Sequence, residues 1–164
     1  GGTLSHLTAA LFMQQAHIDM LHVPYKGAAP AVVAAAAGHV PVIFSAYPSV
    51  LPQMQAGKLR VLAITSAKRI AAAPALPTIA EAALPGYEAA QWYGVLAPAG
   101  TPRDIIIKLH EGVVRALQDA NIRERFLADG AEPVGSSPEE FAAYMRTETA
   151  KWAKVIRDAG IKVE

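Results

Sequence analysis

Apolar positions follow two rhythms along this chain. Between Leu21 and Thr65, three short runs are rich in β-branched residues and predict strands: Leu21 to Val23, Val40 to Phe44 and Leu59 to Thr65. The segments between them predict helices. Ala31 to Ala37 carries small side chains and stops at Gly38, and Ser49 to Ala56 stops at Gly57. Strand, helix, strand, helix, strand is the order of βαβ units in a parallel sheet, so the expected fold class is α/β. Sheets of this kind bind ligands beyond the carboxyl ends of their strands. Those ends read Pro24-Tyr25-Lys26-Gly27-Ala28, Ser45-Ala46-Tyr47-Pro48 and Thr65-Ser66-Ala67, polar or small residues directly after apolar runs.

The flanking segments follow the helical rhythm. Leu4, Leu7, Leu11 and Phe12 form a stripe that predicts a helix from Ser5 to Gln15, with Thr3 or Ser5 as its N-cap. Free amides and the helix dipole at such an end favour an anion, and an ordinary capped helix is the plain alternative. His6 alone reads as a packing or capping histidine. Pro30 and Pro52 are placed in the first turns of their helices, and Pro41 at the start of its strand. Thr78 to Ala83 reads as a short helix, with Thr78 and Glu81 at capping-box spacing. Gln91 to Pro98 reads as a fourth strand, and Thr101-Pro102 as the next helix start. The apolar face Ile105, Ile106, Leu109, Val113, Val114 and Leu117 belongs to that helix. Asn121 to Asp129 and Ser137 to Arg157 complete a C-terminal half that reads as scaffold.

Composition narrows the function classes. The 164 residues suffice for one core, or one core with an appendage, and 52% apolar content excludes disorder. Only 18% of residues are charged, so some apolar surface is expected to meet a partner. A net charge of +1 without a basic cluster argues against nucleic acid. The absence of cysteine rules out disulfides and thiol chemistry. No apolar run approaches the roughly 20 residues that span a bilayer. The chain opens Gly1-Gly2-Thr3 with no targeting signal, and a strand is expected ahead of such a turn. It therefore reads as the C-terminal portion of something longer.

Reactive constellations are missing. There is no nucleophile elbow, phosphate loop, dinucleotide fingerprint or zinc-protease helix. His6, His17, His22, His39 and His110 show no paired helical spacing, so no metal and no cofactor are expected. Backbone amides, small hydroxyls and Lys26 remain at the strand ends. Such groups hold a small anion and catalyse little.

Several segments match a known family in order. They are His22-Val23-Pro24-Tyr25-Lys26-Gly27 with Pro30 and Gly38, Ala56 to Ala63, Leu76 to Glu81 and Leu84 to Glu88. Trp92-Tyr93-Gly94, Ala97 to Pro102, and Gly130 to Pro133 with Phe141 continue the series. In these the chain resembles the Bug-type (TctC-like) extracytoplasmic solute receptors of tripartite tricarboxylate transporters, over nearly its whole length. The resemblance implies one lobe of a type II, Venus-flytrap periplasmic-binding-protein fold, with the return strand and C-terminal helices of the other lobe. Residues 1–90 would form the ligand-binding lobe, lacking its first strand, and residues 91–164 would belong to the other.

The function the resemblance implies is a non-enzymatic, periplasmic receptor. It would capture a small organic carboxylate for the membrane subunits of the transporter, by lobe closure. In the family the loop matching Gly2, Thr3, Leu4, Ser5 and His6 faces the cleft, as does the turn matching Tyr25, Gly27, Ala28 and Ala29. Ser45 faces it too, where relatives often carry Asp or Asn. A serine removes a negative charge and suits an anion better than an ammonium group. Two other readings stay open on the residues alone: an α/β enzyme whose catalytic groups lie outside this chain, and a module that binds nothing small. Self-association, by exchange of the C-terminal helices, is expected from the uncovered apolar run at 92–97 and the Ile105/Leu109/Val113 face.

Overall fold

The computed structural model describes residues 2–161. Seven helices are found among them: α1 Leu4–Ala16, α2 Ala28–Ala36, α3 Tyr47–Gln55, α4 Ile79–Ala82, α5 Arg103–Gln118, α6 Ala120–Ala128 and α7 Pro138–Asp158. Their starts follow local chemistry. Thr3 caps α1, its hydroxyl accepting from the His6 amide. Thr78 with Glu81 and Ser137 with Glu140 form complete capping boxes at α4 and α7. Asp119, unmarked in the sequence reading, caps α6 by accepting from the Asn121 and Ile122 amides.

Two expectations about proline are corrected. Pro52 lies inside α3 rather than in its first turn; the helix begins at Tyr47, with Pro48 as the early proline. Thr101 does not cap α5. Its hydroxyl donates to the Pro98 carbonyl at 2.8 Å, and Pro102 takes the cap position without a side-chain bond.

The predicted strands are corrected as well. Among the described residues the only strand-type pairing is a parallel bridge between Ile64 and Thr78. It is carried by the Ile64 amide on the Pro77 carbonyl (2.8 Å) and the Ile79 amide on the Ile64 carbonyl (2.9 Å). The Ala89 amide adds a bond to Thr65, also at 2.8 Å. The runs at 21–23, 40–44 and 91–98 form no ladder. Parallel strands are held where layers cover both faces; here Leu21, Val23, Val42, Val95 and Leu96 are exposed.

The core joins distant parts of the chain. Ala10 and Leu11 of α1 meet Ile79, Tyr87, Ala89 and Val155 of α7, with Phe12, Phe44 and Trp152 packed around them. Gln14 donates to the Val155 carbonyl at 3.2 Å and ties the two helices. The buried Glu148 carboxylate is paired with Lys151 at 3.0 Å and accepts from the Trp152 indole at 2.8 Å. Nearer its start, α7 carries Phe141 and Tyr144, whose rings meet Trp92 edge-on at 5.6 and 5.7 Å. One helix therefore packs against both the α1 core and the segment beginning at Gln91.

Candidate functional site

Open amides at helix starts are the chemical resource of this chain. An α-helix leaves its first-turn N–H groups without intrahelical acceptors. In α1 that turn is Leu4, Ser5 and His6. Thr3 Oγ1 takes the His6 amide at 3.4 Å, and the Gly2 amide donates to His6 Nδ1 at 3.3 Å. Of the groups predicted to bind, the amides of Gly2 and His6 are thus engaged within the chain. Those of Leu4 and Ser5 have no hydrogen-bond partner among the described residues.

At α2 the arrangement differs in detail. Gly27 is the N-cap at φ 107°, a conformation that glycine adopts without strain, and it has no side chain to cap with. Its own amide closes a tight turn on the Tyr25 carbonyl at 2.9 Å. Pro30 has no N–H, so the Ala28 and Ala29 amides are the two open donors. Tyr25 and Gly27 to Ala29 are all exposed. At α3 the cap is Ala46, again without a side-chain bond, and Ser45 sits half-buried immediately before it.

Contacts made by α1 connect these starts. The His6 ring stacks on His22, with centroids 3.8 Å apart and planes 7° from parallel. This brings the Gly2–His6 group against the chain that leads into Tyr25 to Ala29. Farther along α1, Phe12 meets Phe44 at 5.6 Å, next to Ser45. Helices α2 and α3 pack on one another. His22 is the residue the sequence reading left out of the site; its neighbours in the chain gave no hint of a ring partner 16 positions earlier.

The surroundings of His6 favour its neutral imidazole. Burial first, then the neighbouring His22 ring, lower the pKa of His6. Two hollows lie elsewhere. One, of about 460 Å³, lies between Ala71-Ala72 and α6; the other, of about 430 Å³, lies between α5 and the start of α7. None of the predicted site residues lines either. Among the described residues no cluster of His, Asp or Glu is arranged to hold a metal ion.

The model of the tripartite tricarboxylate transporter family receptor matches residues 1–161. The chain belongs to this receptor family. It is similar to the protein BugT of Bordetella pertussis, 37% identical over 163 residues, which are 99% of this chain and 50% of that protein. A Rhodopseudomonas palustris protein solved with adipate is 40% identical, with a TM-score of 0.83 over 98% of this chain and 54% of its own. The periplasmic binding protein BugD is 31% identical, with a TM-score of 0.77 over the same shares, 98% and 54%.

The chain thus spans about half the length of each of these three relatives. Its backbone follows part of a periplasmic-binding-protein fold, the α/β class expected from sequence, even though ladder pairing is reduced to one bridge. The family is one of receptors, not enzymes, so the enzyme alternative falls. No helix of the described residues is long and apolar enough to cross a membrane.

Proposed function

We propose that this chain is part of a periplasmic receptor that captures a small organic carboxylate for the membrane subunits of a tripartite tricarboxylate transporter. The observation that carries the reading is the pair of helix starts at α1 and α2, each with two open amides, linked by the His6–His22 stack. Carboxylate oxygens are strong acceptors for such amides, and the dipole of each helix adds attraction. A relative of similar backbone was solved with adipate, a dicarboxylate.

In this reading the Gly2, Thr3, Leu4, Ser5 and His6 loop surrounds one carboxylate, with the amides of Leu4 and Ser5 and the hydroxyls of Thr3 and Ser5 as its donors, directly or through water. Tyr25, Gly27, Ala28 and Ala29 line the second wall, where small residues let the backbone approach the solute. Ser45 contributes a hydroxyl. Residues 1–90 act as one lobe and residues 91–164 as the return to the other, and closure over the solute creates the form a transporter reads. No cofactor takes part.

Calorimetry of the full chain with a panel of di- and monocarboxylates, adipate included, tests the proposal. Saturable heat is expected, reduced when Thr3 and Ser5 are both changed to Ala. Absence of heat with the whole panel, or undiminished binding by that variant, overturns it.

A further inference from the structure

The stacked histidines do something the open amides do not. The chain from Ile18 is tied to α1 by two bonds, from the Ile18 amide to the Met13 carbonyl and from the Met20 amide to Met13 Sδ, both 3.2 Å. Beyond Met20, among the described residues, no hydrogen bond fixes positions 21–24. Leu21 is 91% exposed, and Val23 and Tyr25 are exposed as well. The His22 ring, lying flat on His6, joins this stretch to the start of α1.

Resting on the receptor reading above, we propose that His6 and His22 are positioning residues. They form a clasp that sets the two amide groups at their working distance and holds while the His6 ring is neutral, so that solute capture weakens in acid. Two features of the geometry oppose a charge on His6. His6 Nδ1 accepts the Gly2 amide, so that nitrogen carries a lone pair, and a proton there expels the bond. Two imidazoliums stacked with centroids 3.8 Å apart repel each other strongly.

The groups acting on His6 agree. Burial first, then His22 from the chain leading into α2, oppose its protonation. The sign follows: the clasp is complete above the ordinary histidine value and is lost as pH falls from there through the lowered value of His6. An imidazolium beside a bound anion acts in the opposite direction, so the pH trend of affinity separates the two possibilities.

The test combines two measurements on the full chain. Ring-to-ring NMR contacts between His6 and His22 are expected at about pH 7.5 and absent at about pH 5. Adipate affinity by calorimetry is expected to fall over the same interval, by at most about tenfold per pH unit for each linked proton. His22→Phe keeps a flat ring without a second charge; it is expected to restore neutral-pH binding relative to His22→Ala and to retain only the part of the pH dependence that the His6–Gly2 bond carries. His22→Ala is expected to bind weakly throughout. Ring contacts that persist into acid overturn the clasp, whatever the receptor does. Affinity that is level or rises toward acid, or wild-type binding by His22→Ala, overturns the positioning role and leaves the receptor reading standing. No heat with any carboxylate at any pH removes the receptor reading and the functional half of this inference together.

Discussion

The Tyr87 hydroxyl donates a 3.0 Å hydrogen bond to the carbonyl of Thr8, 79 residues earlier in the middle of α1. Tyr87 is only 1% exposed, and Phe12 meets its ring edge-on at 6.2 Å. This one side chain secures the 84–90 loop to the helix whose first turn carries the candidate site. Tyr87→Phe is expected to lower stability by about 1–2 kcal/mol, the cost of an unmade buried bond. Tyr87→Ala is expected to cost about 3–5 kcal/mol through the cavity it leaves. Urea unfolding followed by tryptophan fluorescence measures both.

The same phenol sets an alkaline limit. Burial pushes its pKa well above the usual tyrosine range, so the folded state keeps it neutral. Stability from this group is complete below the unfolded value, about pH 10, and is lost as pH rises from there toward the folded value. Unfolding midpoints should fall in alkali for the wild type and fall less steeply for Tyr87→Phe. Equal slopes would remove Tyr87 as the cause.

At α4 a four-residue helix depends on its cap. The buried Thr78 hydroxyl accepts from the Glu81 amide at 3.1 Å, and the Glu81 carboxylate accepts from the Thr78 amide at 2.8 Å. Thr78→Ala is expected to cost about 1 kcal/mol in the same urea assay. The Thr78 amide, then Arg69, hold the Glu81 carboxyl below the usual carboxylate range. Its contribution is present above the ordinary glutamate value and is lost as pH falls through the lowered one. Glu81→Gln should flatten the acid limb of stability against pH; an unchanged limb would assign acid sensitivity elsewhere.

These caps mark what was legible in the sequence. Ser137-Pro138 with Glu140, and Thr78 with Glu81, act within one turn, so adjacent letters state the structure. The starts of α1 and α2 were legible for the same reason, and with them the open amides. Pairing across the chain was not. Nothing local in His6 or His22 announces the other, because a ring stack is a property of tertiary packing. The runs at 21–23, 40–44 and 91–98 have strand composition, yet composition cannot supply the neighbouring layers that turn such a run into a ladder. Thr101 shows the remaining weakness: its hydroxyl can satisfy a carbonyl behind it as readily as an amide ahead, and here it does the former.

Gly94 lies against the Phe141 ring so closely that a Cβ at that position would overlap it. The requirement is steric, not one of backbone angle, so a compensating change can relieve it. Gly94→Ala is expected to destabilise the chain by about 1–3 kcal/mol through overpacking. Gly94→Ala combined with Phe141→Ala should recover part of that loss, whereas the two costs would add if the residues were independent. A double-mutant cycle in urea, with near-UV circular dichroism reporting on Trp92, reads the coupling.

The residues beside Gly94 bear on association. Tyr93 is 86% exposed and Val95 76%, followed by an exposed Leu96. The adjoining helix α5 turns Ile106, Val114 and Leu117 partly inward, the last two toward Gly135, and leaves Ile105, Leu109 and Val113 exposed at four-residue intervals. An unladdered apolar segment beside an apolar helix stripe offers both backbone donors and hydrophobic area to a second chain. Self-association of this chain is therefore expected, with mass rising with concentration in sedimentation equilibrium. Exchange of α7 between copies is one route, since that helix packs on both α1 and the Trp92 segment. Val95→Lys with Leu109→Glu, both at exposed positions, should shift the equilibrium to monomer with little change in folded helix content. A single monomeric species at high concentration for the unmodified chain would refute the expectation, because the exposed stripe would then be tolerated by water alone.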